Sequence, residues 1–255
     1  MIILLSPAKT LDLDTAFDEV GSEARFGDEA RRIARAAAKL SPAKLTEIMH
    51  ISNKLAELNA VRFRGFAKTP ERPAIRVFAG DVYRGFDAAS ADSDTLDFAQ
   101  QHLRILSGLY GLLRPLDRVR PYRLEMGTRW SPKGDRLLDH WGGKVGRAVK
   151  ADLSADGSNI VLNLASVEYF AAVGPHLPRK VRVIAPDFRV RTARGLNFQS
   201  FPAKVARGAM ARFVCEERIS DPTALRGFDR DGWRFDPDGS TGNAPNWFRD
   251  RLSRG

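Results

Sequence analysis

One block of 28 residues, Gln100 to Gly127 (QQHLRILSGLYGLLRPLDRVRPYRLEMG), constrains this chain more than any other stretch. It holds five arginines (Arg104, Arg114, Arg118, Arg120, Arg123), no lysine, three glycines, two prolines and two tyrosines, and it starts helical and ends extended. A core helix carries fewer interruptions, and a solvated loop carries fewer apolar residues. Rigid guanidinium forks on a backbone punctuated by glycine and proline suit recognition of phosphate or carboxylate groups. The block therefore predicts a site, with an anion as its ligand.

The rest of the chain frames that site. With 255 residues and 43% hydrophobic content the chain can bury a sizeable core, and one domain over residues 1–255 is expected. Forty-one basic against 31 acidic residues give a formal charge of +10. That balance favours nucleic acid, nucleotides or other polyanions over cationic or membrane-buried partners. Cys215, the single cysteine, lies beside Phe213 and Val214 and reads as a small buried apolar residue. His50, His102, His140 and His176 are dozens of residues apart, without a His, Cys or carboxylate partner at ligand spacing. No metal site is read from them, and no cofactor is expected. The opening MIILLSPAKT has too short an apolar run and no basic n-region for a signal peptide, and no run of about 18 apolar residues occurs. The expectation is a soluble cytoplasmic protein without a membrane partner.

Ile2 to Leu5 reads as a buried strand running into Ser6-Pro7-Ala8-Lys9-Thr10, a turn that sets a lysine just past a strand end, where ligands of α/β sheets collect. Asp28 to Leu40 reads as a helix with a cationic stripe at Arg31, Arg35 and Lys39. Ser41-Pro42 starts a second helix and Ser52 caps a third running toward Phe63, so a helical hairpin spans residues 41–65. Ile75 to Phe78 reads as a strand, Gly80 to Tyr83 as a turn or short helix, and Asp94 to Leu106 as a helix. Tyr122 to Met126 is extended. Asp135 to Leu153 reads as a helix weakened, and kinked, by Gly142 and Gly143. Ile160 to Leu164 is a second buried strand, leading to a helix capped by Ser166 with Glu168 near its positive end. Val181 to Val190 and Leu196 to Phe201 pair as strands, and Pro202 to Arg218 is a long helix. Asp231-Gly232 reads as a tight hairpin turn, and a loose tail follows from about residue 237.

Two features bear on chemistry. On the helix from Pro202, 100° per residue sets Lys204, Arg207 and Arg218 opposite Val205, Ala209, Met210 and Phe213, with Gly208 beside the cations. A mid-helix glycine costs about 1 kcal/mol, which close approach of another backbone or of a ligand would explain. Leu45 to Ala56 has the layout of a helix-hairpin-helix, a unit that grips a nucleic-acid strand with backbone N–H groups at the start of its second helix. His50 and Ser52 stand where such hairpins usually carry glycine.

The motifs SPAKT (Ser6 to Thr10), GDVYRG (Gly80 to Gly85), the Gln100–Gly127 block, NLASVEYF (Asn163 to Phe170) and KVARGAMARF (Lys204 to Phe213) together resemble the bacterial peroxide-stress protein YaaA family. The resemblance implies an α/β (α+β) fold: a central mixed, strongly twisted β-sheet wrapped by helices, with a helix-hairpin-helix-like unit. It also implies protection under hydrogen peroxide stress by keeping free iron low, and DNA binding through a positively charged cleft. Carried onto this sequence, the hairpin falls on Met49, His50, Ile51, Ser52 and Asn53, and the cleft among Lys9, Arg114, Arg123, Lys204 and Arg207. An effect on iron would be indirect, by shielding DNA from Fenton chemistry.

Two functional classes follow. The first is a sequence-independent binder of duplex, bulged or single-stranded DNA, with Lys9, Arg104, Arg114, Arg123, Lys204 and Arg207 on phosphates and Tyr110 and Tyr122 stacking on exposed bases. The second is an enzyme acting in the same cleft on a nucleotide or another small phosphorylated or carboxylated anion. There, Arg123 and Glu125 share a strand face as an anion clamp beside a general base, Asn163 and Ser166 hold a phosphate where a strand gives way to a helix, and Lys9 is a nucleophile or electrostatic catalyst. The catalytic candidates are Lys9 and Glu125. No triad, metal motif or P-loop marks a reaction class.

Overall fold

The computed structural model describes residues 1–134 and 136–250. Ile2–Leu5 (β1) consists of four buried aliphatic residues, and a strand apolar on both faces needs cover on both. It lies at the centre of a sheet. The chain then forms α1 (Gly27–Ala37), α2 (Pro42–Met49), α3 (Asn53–Arg64), β2 (Arg72–Pro73), α4 (Ala74–Val77), α5 (Asp81–Phe86) and α6 (Ser93–His102). β3 (Leu103–Ser107), β4 (Gly111–Leu113), β5 (Arg118–Val119), α7 (Leu137–Trp141), α8 (Lys144–Ala155), β6 (Ile160–Asn163) and α9 (Val167–Phe170) follow. The last elements are β7 (Arg182–Ile184), β8 (Asp187–Thr192), β9 (Gly195–Phe198), α10 (Ser200–Glu216), β10 (Arg234–Thr241) and β11 (Ala244–Asp250).

The central sheet has the order β4-β3-β1-β6-β7, with β4 antiparallel and its other neighbours parallel. A second sheet, β10-β11-β8-β9, and the short β2-β5 pair complete a mixed α/β architecture with helices around the sheets. β1 is flanked by β3 on one side and by β6 on the other, so the chain winds outward in one direction and then in the other. Crevices at the carboxyl ends of strands at such a reversal are where open α/β sheets take ligands.

Packing explains the glycines of the Gln100–Gly127 block. Gly111 has φ of +68°, and a Cβ there would lie 2.7 Å from the Trp141 ring. The buried indole in turn donates to the Gly108 carbonyl at 2.8 Å. Gly85 and Gly208 form a second close contact, between α5 and α10. A Cβ on Gly208 would lie 1.8 Å from the Val82 carbonyl oxygen, and one on Gly85 would lie 2.0 Å from that of Val205. The mid-helix glycine therefore admits another backbone.

Several expected elements differ. Residues 75–78 are not a strand: the N–H groups of Ala74 and Ile75 reach the Asp117 and Pro115 carbonyls, and one helical turn forms. The helix from Ser93 stops at His102, and Leu103 to Ser107, buried at every position, enters the sheet beside β1. The helix expected over 135–153 is two helices, broken where Gly142 takes φ 46° and ψ −137°; Asp135 lies outside the described residues. Residues 181–190 divide at Ala185-Pro186 between the two sheets, as β7 and β8. The hairpin turn is Gly242-Asn243, a favourable two-residue pair, whereas Arg230 to Gly232 forms one 3-10 turn. Of the tail expected to be loose from about residue 237, residues 237 to 250 form β10, the turn and β11, because Trp247 and Phe235 pack into the aromatic cluster around Phe188, and residues 251–255 lie outside the described residues.

Gly208→Ala is expected to destabilise the protein by about 3 kcal/mol or more, because backbone on both sides of the contact must separate. Urea denaturation would measure this, and a loss below about 1 kcal/mol would show that the helices can part.

Candidate anion and nucleic-acid site

At the carboxyl ends of β1 and β6 two turns are tied together. Ser6 Oγ accepts the Ser166 N–H at 2.9 Å, and the Ser6 and Ser166 hydroxyls lie 3.4 Å apart. Asn163 Oδ1 accepts the Ala165 N–H at 3.1 Å, and the Tyr83 hydroxyl on α5 donates to the Ser6 carbonyl at 3.0 Å. Asn163 and Ser166 thus shape the turn with their side chains; Ser166 occupies the cap position of α9 without bonding its amides. Residues 122–127 return to the same end of the sheet, with Gly108 packed on the Leu124 carbonyl. There Arg123 Nη2 donates to Glu125 Oε1 at 3.1 Å, and Lys9 Nζ stands 3.2 Å from the same oxygen. Glu168 Oε1 accepts the Gly127 N–H at 2.9 Å. Lys9, Arg123 and Glu125 are therefore one cluster, with the lysine exposed and the buried Arg123 Nε lacking a partner.

The remaining arginines of the block go elsewhere. β4 runs against β1, so the chain leaves it toward the amino ends of the parallel strands and carries Arg114 away from Lys9. Arg114 Nε donates to Asp117 at 3.1 Å, Arg120 pairs with Glu71, and Arg118 stands 3.6 Å from Glu71 and 3.9 Å from Glu23. Arg104, expected on an anion, is buried in the sheet and donates to Asp152 of α8 at 2.7 Å and to the carbonyls of Gln100 and Leu103. Asp152 also takes Arg25 at 2.5 Å. A guanidinium at this depth requires a carboxylate, and Arg104 is structural.

The two tyrosines are also turned inward. The Tyr122 hydroxyl shares a 2.6 Å hydrogen bond with Ser107, Tyr110 accepts the Arg120 N–H at 3.0 Å, and the two rings meet edge-on at 5.6 Å. Neither can stack on a base, because the ring supplies core area while one hydroxyl bond satisfies its polar end. Among the described residues, the most exposed aromatic rings are Phe198 and Phe201, each 55% exposed, with Arg84 4.6 Å over the Phe201 ring. Period-two alternation gives no sign of this, since β9 lies on a sheet edge and is exposed along its whole length.

On α10, Lys204 is exposed and Arg207 half-buried. Burial holds the Arg207 guanidinium below the ordinary arginine value, against the attraction of Asp187. Arg218 lies past the helix end and pairs with Asp94 at 2.6 Å. α10 packs on α5, and α5 touches the Lys9 turn through Tyr83 and Gly80. Between α2 and α3, His50 adopts the left-handed conformation (φ 52°), Met49 and Ile51 are buried, and Ser52 accepts the Leu55 N–H at 3.4 Å before α3 starts at Asn53. The buried Cys215 has its thiol pushed up to about 12 by desolvation.

Two outcomes are expected. Asp152→Ala leaves Arg104 and Arg25 without their carboxylate and should cost about 3–5 kcal/mol in urea denaturation, more than any exposed pair. Burial raises the pKa of all four tyrosines, Tyr83, Tyr110, Tyr122 and Tyr169, above the usual 10.0, with Tyr110 at about 12. A phenol that ionises at 10.0 when unfolded but higher when folded contributes stability that is complete below pH 10 and is lost as pH rises further. Ultraviolet titration should show tyrosinate appearing only with cooperative unfolding. Smooth ionisation near pH 10 in the folded protein would contradict the burial.

The model of the family described as "Peroxide stress protein YaaA" matches residues 1–239. A UPF0246 protein of Rhizorhabdus wittichii is 53% identical over 242 residues, covering 94% of this chain and 96% of the relative. One from Ruegeria pomeroyi is 45% identical and covers 98% of each chain. One from Burkholderia orbicola is 46% identical over 92% of this chain and 94% of its own length. The chain belongs to the peroxide stress protein YaaA family.

Proposed function

We propose that this protein acts in the peroxide stress response by binding DNA without sequence preference, limiting iron-driven damage to the strand it covers. The observation that carries the reading is the location of its unneutralised charge. All five arginines of the Gln100–Gly127 block have a carboxylate within 4 Å. Among the described residues, Arg35, Lys39, Lys54, Arg62, Arg64 and Lys68 have none, and neither do Lys204 and Arg207. Residues 27–68 carry nine Lys and Arg against four Asp and Glu, a net +5 of the chain's +10. A cation already neutralised within the protein gains little on a phosphate, whereas a free one displaces a condensed counterion.

The α1–α3 region and α10 are the two candidate contact patches on this reading. The outward face of α3 presents Lys54 and Arg64 at helical spacing with the exposed Leu58 and Val61. The Met49–Asn53 turn sets the positive end of α3 beside them, as in a hairpin that grips a strand by its backbone. Phe198 and Phe201 supply the stacking faces that Tyr110 and Tyr122 do not.

Fluorescence anisotropy with labelled duplex and single-stranded oligonucleotides tests this. Log affinity for duplex should fall with log salt at about −0.9 per phosphate contacted. Lys54→Gln with Arg64→Gln, or Lys204→Gln with Arg207→Gln, should reduce that slope equally on all sequences, while Arg114→Gln leaves it unchanged. Absence of binding to every DNA form at about 50 mM salt would overturn the reading.

The Lys9–Glu125–Arg123 cluster favours a second reading, an enzyme acting on a small phosphorylated or carboxylated substrate at the strand ends. Glu125 would serve as base once the substrate's anion draws Lys9 and Arg123 from it. Turnover of such a substrate, abolished by Glu125→Gln with the DNA affinity intact, would establish it.

A further inference from the structure

A hollow of about 250 Å³, separate from the strand-end cluster, lies between the start of α1 and the β5 segment. Arg31, Arg118 and Arg120 line it, with Tyr110 and Phe66 in its wall. We infer that this hollow, at the α1 edge of the proposed DNA-contacting region, is a binding site for a phosphate monoester.

Four observations support that ligand. First, the cations there are held unequally. Arg120 is fixed by Glu71, by the Thr69 carbonyl at 3.0 Å and by the Phe66 ring beneath its guanidinium. Arg118 makes no carboxylate contact closer than 3.6 Å, and its nearer hydrogen bond is a 3.5 Å contact to the Gly21 carbonyl. Arg31 is bound only to Asp28. Two forked donors are thus available for the price of two weak surface pairs.

Second, of the three acids that line the hollow, Glu71 stays with Arg120, and the other two are easily displaced. Glu23 is 91% exposed and Asp28 80%, so each can turn into solvent when an anion enters. Third, Tyr110 is 3% exposed, and its hydroxyl accepts the Arg120 N–H, which fixes the Arg120 backbone at the wall of the hollow. Burial pushes that phenol up to about 12, so it remains a donor throughout the physiological range.

Fourth, α1 begins at Gly27 with no side-chain cap on its first-turn N–H groups. Gly27 and Asp28 line the hollow, and a Cβ on Gly27 would lie 3.5 Å from Arg31 Nη1, which folds over the helix start. The positive end of an eleven-residue helix therefore faces the same space as the guanidiniums. A dianionic tetrahedral group matches this donor set better than a planar carboxylate, since the guanidinium forks and the helix amides belong to different elements of the wall. The volume leaves room for a small organic body behind the phosphate.

The phosphate could belong to a free metabolite or to the end of a nucleic-acid strand, and thermal melting with matched titrations separates the two. Inorganic phosphate and glycerol phosphate at about 100 times their dissociation constants should raise the melting midpoint by about 5–10 °C, while chloride at equal ionic strength does not. Arg31→Gln, on an exposed side chain, and Arg118→Gln, which keeps the stem packed over Gly21, should each weaken that binding about tenfold or more. A 5′-phosphorylated oligonucleotide that binds tighter than its unphosphorylated twin, with the difference abolished by Arg31→Gln, would assign the site to strand ends; equal binding of the twins would assign it to metabolites. Equal stabilisation of wild type and both variants, or none by either phosphate, overturns the inference. Binding of the unphosphorylated twin reads the DNA surface by itself, so the two proposals stand or fall separately.

Discussion

Asp152 on α8 faces two guanidinium groups, Arg104 from the central sheet and Arg25 from the segment ahead of α1. Charge buried between a sheet and its covering helix is stable only when every partner is present. This carboxylate therefore fixes three parts of the chain at once: the height of α8 over the sheet, the direction of the Arg104 side chain, and the path by which the first connection reaches α1. The hollow beside α1 inherits its shape from that path, because Arg25 also lines it.

The same logic recurs through the Arg-rich block. Arg120 and Arg118 draw on Glu71, Arg114 on Asp117, and Arg123 on Glu125. An arginine-dense segment that turns repeatedly through the interior must find such partners or unfold. What distinguishes the cations around the chain is therefore less their number than their prior commitments: the block is largely spent on architecture, while α1, α3 and α10 carry cations without a carboxylate partner among the described residues.

The central sheet was legible in the sequence because Ile2–Leu5 and residues 160–162 are continuous apolar runs, and runs of that kind need cover on both faces. The αα-hairpin was legible from Ser41-Pro42 and Ser52, whose side chains do cap α2 and α3. β3 was missed because Asp92 and the periodicity after it promise a helix that the flanking strands cut short. The split of residues 181–190 between two sheets depends on strand partners distant in the chain, which no local pattern reveals. Of the candidate residues, Lys9, Arg123 and Glu125 could be grouped from strand ends and alternation. The carboxylates that neutralise the block could not: Asp152 lies 48 residues beyond Arg104, and Glu71 lies 49 before Arg120. Tyr110 and Tyr122 look from the sequence like accessible rings, and only the packed core settles that they are not.

The reciprocal seating of Gly85 and Gly208 has a mechanical consequence. Two helices whose backbones touch at interlocking notches cannot slide along each other without first lifting apart. α5 also anchors the first turn of the sheet through the bond from Tyr83 to the Ser6 carbonyl. Lys204 and the strand-end turn are thereby members of a single stiff strut, so a shift of the far helix is passed to Ser6 as displacement instead of dissipating in side-chain rearrangement.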